Sequence, residues 1–247
     1  MKLGIMQPYF FPYIGYWQLI KAVDIYVVYD DVNYKKRSWI NKNYILINDV
    51  AKPITLRTVK VSQNKLINEI TLDSDIIHNE KLLKTIKEAY SKAPYFSEIF
   101  ALTEKIINYK EINLANYLMN SIVEIARYLN IQTEIIKSSE LKIREDLKGQ
   151  ERILEICKLL SADQYFNAVG GTSLYSFRDF QLQNIDLTFI KPADITYQQK
   201  NHENFVSNLS IIDVLMFNSK EKVNAMLDEF TVLEDFPALV FANHEVK

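Results

Sequence analysis

Two adjacent carboxylates, Asp30 and Asp31, close the short apolar run Ile25 to Tyr29 and are the leading acid–base candidates in the chain. In an extended segment neighbouring side chains point to opposite faces, so only one of the pair can easily enter a cleft. That carboxylate would serve as general base for an amine or a hydroxyl, or hold Mg²⁺ against a phosphate. The competing reading is a pair that caps the strand end by accepting backbone N–H groups. Tyr34, Lys35, Lys36, Arg37 and Trp39 follow at once, a mixture of rings and cations that suits a nucleotide. A run of cations is more often a solvated face, but here the rings are interleaved, and the Arg37 guanidinium can hold phosphate at two points. Asn41 and Asn43 share a face if residues 39–45 are extended, where they could bind sugar hydroxyls or serve a turn.

Upstream, Pro8, Pro12 and Gly15 fix a bend, and Tyr9, Phe10, Phe11, Tyr13, Tyr16 and Trp17 supply more rings than one helix face can bury. Gln7, Tyr9 and Tyr13 are therefore read as substrate-binding residues, and Tyr16 joins the two aspartates as a catalytic candidate. A second segment, Gly170-Gly171-Thr172-Ser173 followed by Leu174 and Tyr175, holds two of the five glycines and follows an expected strand. Its backbone N–H groups could approach phosphate, although it lacks the lysine and the glycine spacing of a P-loop. Gly170, Gly171, Thr172 and Tyr175 are its candidate contacts. The three histidines and Cys157 have no metal-ligand spacing, so no metal site is expected. His202, in a polar loop, is a candidate for proton transfer, with a merely solvated ring as the plainer reading.

Hydrophobic periodicity supplies the elements that must position these groups. Leu3 to Met6 and Ile25 to Tyr29 read as buried strands joined by a helix over Tyr13 to Val23, a βαβ unit whose ligand lies beyond the strands' carboxyl ends. Residues 43–47 and 54–61 flank a turn at Asn48 to Ala51 and read as a hairpin. Helical spacing then runs from Asp75 to Leu129, with Pro94 between the first two helices, as an insert or cap. Strands at 133–137, 164–168 and 187–190, and helices at 150–160, 211–218 and 221–230, complete the pattern. The expected class is α/β, a parallel-sheet core with a β-hairpin and a helical insert. Its expected divisions are 1–74, 75–130, 131–235 and a tail at 236–247.

Composition narrows the classes. The chain is long enough for a sizeable core, and 48% hydrophobic against 24% charged residues is ordinary for a globular protein. A net charge of −2 argues against a protein whose main task is gripping nucleic acid. No apolar run approaches the roughly 18 residues of a membrane span, and Gln7, Pro8, Pro12 and Gln18 interrupt what could be a signal peptide. The single cysteine, Cys157, lies on an apolar helix face and suits a reducing cytoplasm.

The run from Met6 to Asn43, with Asn167 to Tyr175 and Leu209 to Asn218, resembles the WbqC-like family of bacterial O-antigen and other surface-polysaccharide loci. The resemblance implies a cytoplasmic protein of surface-sugar synthesis, working on a nucleotide-linked sugar. Its leading reaction is acyl or aminoacyl transfer to the amino group of that sugar. Glycosyl or nucleotidyl transfer, and a non-catalytic binding or scaffold role, are the alternatives. In the leading reading Arg37 and the Gly170-Gly171 loop hold the diphosphate, Tyr13, Tyr16 or Trp39 stack on base or sugar, and Asp30 or Asp31 takes the amine's proton. Tyr13-Ile14-Gly15-Tyr16 also stands where nucleotidylyl-transferase-like enzymes carry His-x-Gly-His, a similarity of placement without the imidazoles. Whether ATP or Mg²⁺ takes part, and the oligomeric state, are left open by the residues.

Overall fold

The computed structural model describes residues 1–59, 62, 64–73, 75–200 and 205–233. In chain order its main elements are β1 (Lys2–Met6), α1 (Ile14–Lys21), β2 (Ile25–Val28), β3 (Lys42–Ile47), β4 (Val50–Thr55), β5 (Thr58–Val59) and β6 (Thr71–Leu72). Three longer helices follow, α2 (Ile76–Tyr90), α3 (Phe96–Ile107) and α4 (Leu114–Tyr128). The chain then continues through β7 (Glu134–Lys137), α5 (Gly149–Leu159), β8 (Gln164–Ala168), α6 (Phe177–Gln181), β9 (Asp186–Pro192), α7 (Ile211–Phe217), α8 (Lys220–Met226) and β10 (Phe230–Leu233).

The central sheet has the order β10-β9-β8-β1-β2-β7, with parallel pairing throughout except for antiparallel β10. The strands read as continuous apolar runs because both faces are covered. Tyr26, Val28, Phe166 and Ile190 face α1, while Leu3, Ile5, Val27, Tyr165, Leu187 and Phe189 face α5 and α6. From β1 the chain builds outward through β2 to β7, then returns to the other side of β1 for β8 and β9. Direction therefore reverses between β1 and β8, and open α/β sheets bind ligands beyond the carboxyl ends of their strands at such a reversal.

The expected α/β class, with its parallel core, hairpin and helical segment, is what the structure shows. The hairpin is tighter than the sequence suggested: Asn48 and Asp49 alone make the turn, at φ 49° and 60°, and Ile47 pairs with Val50. Two successive left-handed residues match the strand twist, so β4 starts four residues earlier than expected. The final helix stops at Met226, short of the expected 230, and Phe230–Leu233 pairs with β9 as an edge strand that the sequence reading did not include. Helices α2 to α4 share one apolar cluster with α1, the hairpin and α7. Among the described residues no helix is long and apolar enough to cross a membrane.

Candidate functional site

The carboxyl ends of β1, β2 and β7 open into a cleft of about 840 Å³. Its walls are Gln7 after β1, Tyr29, Asp31 and Asn33 after β2, Ser139 after β7, and Lys148, Gly149 and Arg152 at the start of α5. Parallel register brings these groups together, since Met6 pairs with Val28 and Val28 with Lys137.

The two aspartates part company here. Asp30 is 1% exposed and accepts hydrogen bonds from the Ser139 backbone N–H at 3.0 Å and the Ser139 hydroxyl at 2.7 Å. Asp31 lines the cleft. Ser138 Oγ lies 2.5 Å from Asp31 Oδ1 and 3.1 Å from Asp30 Oδ1. A hydroxyl has one proton, and the shorter contact marks Asp31 as its acceptor. The other Asp31 oxygen is paired with Nη2 of Arg152, and the two side chains are 16% and 13% exposed. The Arg152 guanidinium lies 5.9 Å from the centre of the Tyr29 ring, and its buried Nε has no hydrogen-bond partner among the described residues. Burial pushes the Tyr29 phenol up to about 12 despite the pull of the adjacent Arg152 cation.

A second, ring-lined pocket of about 330 Å³ is formed by Tyr9, Pro12, Tyr13, Trp39, Asn43 and Asn208. Trp39 is 46% exposed and meets Tyr44 edge to face at 5.8 Å. Burial raises the phenol pKa values of Tyr9 and Tyr13. The segment between β1 and α1 shapes this pocket through Phe11, a non-glycine residue at φ 42°. Its carbonyl accepts from Asn43 Nδ2 at 2.7 Å and from Ser210 Oγ at 2.9 Å, and Asn43 also donates to Phe10 O at 3.0 Å. A strained backbone persists where its surroundings over-determine it, and these bonds do so. Gly15 completes the bend: a Cβ there would stand 2.5 Å from the Tyr13 ring and 2.9 Å from Pro192.

The remaining candidates fall elsewhere. Tyr16 is 1% exposed, in the core beneath the cleft, and its hydroxyl donates to the Gln7 carbonyl at 3.1 Å. Tyr34 is 3% exposed. Asn41 donates to Leu56 O at 3.0 Å, fastening β4, and the Asn43 amide is spent on the bend rather than on open space. Arg37 is exposed on a turn at φ 58°, away from the cleft walls. Gly170, Gly171 and Thr172 form a 3₁₀ turn after β8. There Gly171 leaves room for Asn167, whose amide donates to Tyr165 Oη at 2.8 Å and Tyr175 Oη at 3.1 Å. His202 lies outside the described residues. The sequence reading missed Ser138, Ser139, Lys148 and Arg152, and the available signal was an arginine in the opening turns of a helix after an expected strand.

No solved structure matches the chain. The uncharacterized protein Rv1507c of Mycobacterium tuberculosis (strain ATCC 25618 / H37Rv) is 27% identical over 219 residues, covering 88% of this chain and 93% of that protein. The description of the WbqC-like protein family fits residues 7–225, a span that takes in the cleft, the ring-lined pocket and every strand of the sheet except β1 and β10, and the chain belongs to that family.

Proposed function

We propose that this protein is a transferase of bacterial surface-polysaccharide synthesis, moving an acyl or aminoacyl group onto the amino group of a nucleotide-linked amino sugar. The observation that carries the reading is the charge pattern of the large cleft, which Arg152 and Lys148 line together with Asp31 and Glu145. Two cations and two carboxylates suit a ligand with both an anionic phosphate and an amine. Asp31 accepts the proton as the amine nitrogen bonds to the acyl carbon and the donor's leaving group departs. Such a base is worth roughly a hundredfold or more in rate. The nearby rings of Tyr9, Tyr13 and Trp39 offer a face for base or sugar. Incubation with UDP-, GDP- and dTDP-linked amino sugars and acyl donors, followed by mass spectrometry of the sugar, tests the reading: an added acyl mass supports it.

One observation favours a second reading, a protein that binds the sugar nucleotide without turning it over. Asp31 is already engaged, by Arg152 on one oxygen and the Ser138 hydroxyl on the other, as a binding residue would be. Saturable binding with no change in sugar mass for any donor would select it.

A further inference from the structure

We propose that Arg152 is the phosphate receptor of the cleft and that phosphate binding there loosens its hold on Asp31. The inference rests on the reading of the cleft given above and identifies which group recognises the phosphate and how that recognition reaches the base.

The guanidinium has five N–H donors in a rigid fork. One nitrogen, Nη2, serves Asp31 Oδ2, while Nε is buried and unpartnered among the described residues although the side chain walls an 840 Å³ cleft. An arginine locked into a purely structural pair would be expected to fill that donor. A phosphate oxygen pair along the Nε–Nη2 edge fills it in the bidentate geometry that arginine favours, and draws on the same Nη2 that holds Asp31. Lys148 lies on the same wall, and the helix start it precedes has no side-chain cap. Glu145 also lines the cleft and opposes an anion, so the site selects a phosphate whose bearer also offers an amine.

The consequence is an ordered dependence. With the cleft empty, Asp31 is shared between the Ser138 hydroxyl and Arg152. With phosphate on the fork, Arg152 divides its donors between two anions and the Asp31 carboxylate is freed to meet the amine beside it. An amine without phosphate meets a carboxylate still held by Arg152, so discrimination against free amino sugars is built into the pair.

Calorimetric titration with inorganic pyrophosphate, in parallel with malonate, tests this on the whole chain. Wild type should bind pyrophosphate more tightly than malonate. Arg152→Gln and Arg152→Lys should each weaken pyrophosphate binding at least tenfold, because lysine keeps the charge but not the fork. Asp31→Asn should tighten it severalfold by removing the internal competitor, and the double variant Asp31→Asn/Arg152→Gln should lose that gain. The double variant removes both charges of the pair, so it keeps the test open if Arg152→Gln alone fails to fold. Wild-type affinity in Arg152→Lys, an equal gain from Asp31→Asn with or without Arg152, or tighter malonate binding would each overturn the inference. Pyrophosphate bound through Arg152 with no amino-sugar nucleotide accepted would sink the functional reading and leave this one standing; turnover unaffected by Arg152→Lys would do the reverse.

Discussion

Arg152 on α5 and Asp31 after β2 pair across 121 residues of sequence at the carboxyl edge of the sheet. Buried charge pairs are a weak source of stability, because desolvation offsets much of the attraction. A pair that is only about one-seventh exposed, yet opens onto a large cleft, makes more sense as a recognition device than as a brace.

The neighbouring aspartates should separate in experiment. Asp30→Asn replaces one of the two acceptor oxygens facing the Ser139 donors with an amide N–H₂ donor and should destabilise the fold by about 1–3 kcal/mol in urea unfolding. Asp31→Asn leaves Arg152 without its anion and should also cost stability, but unlike Asp30→Asn it should in addition reduce acyl transfer roughly a hundredfold or more. Equal stability losses with no difference in turnover would remove the division of labour.

Asn43 is expected to act on structure. Truncation by Asn43→Ala strips donors from the Phe10 and Phe11 carbonyls, and the carbonyl of the strained Phe11 then keeps only the Ser210 hydroxyl bond. A loss of about 2–3 kcal/mol in denaturant unfolding is expected. A stable variant with weakened ligand binding would instead return Asn43 to the ligand.

For Trp39 the expectation is reversed. It is 46% exposed, so Trp39→Ala should cost little stability but weaken nucleotide-sugar binding by about 0.5–1.5 kcal/mol, the usual worth of a ring contact. Unchanged affinity would take the ring-lined pocket out of the account.

Alkaline pH should destabilise the protein. Burial raises the Cys157 thiol from 9.0 to about 12, and burial raises the Tyr29 phenol from 10.0 to about 12. Between those limits the folded chain keeps protons that the unfolded chain has lost, so the stabilisation is full below about pH 9 and declines as pH rises toward 12. The decline should be read as urea midpoints that fall above about pH 9. Urea midpoints unchanged from about pH 9 toward pH 12 would contradict it.

The sequence made β1, α1 and β2 legible because their apolar runs are local, and it put Gln7 and Asp31 at strand ends for the same reason. Arg152 and Ser138 were not legible as partners of Asp31, because only the pairing of β2 with β7 and the return of α5 bring them there. Asn43 and Tyr16 looked like ligand contacts because amide and phenol groups are versatile. Their partners, the carbonyls of Phe10, Phe11 and Gln7, become apparent only once the bend is built. Strand β10 went unread because four edge residues carry too little alternation to signal a strand.

The most direct test of the cleft's proposed role is the calorimetric affinity of an amino-sugar nucleotide relative to its hydroxyl counterpart, in wild type and in Asp31→Asn. The account predicts that wild type prefers the amine by about tenfold or more, as a charge-assisted contact to Asp31 would give, and that Asp31→Asn abolishes the preference. Equal affinity for amine and hydroxyl sugars in wild type, or a preference that survives Asp31→Asn, would contradict it.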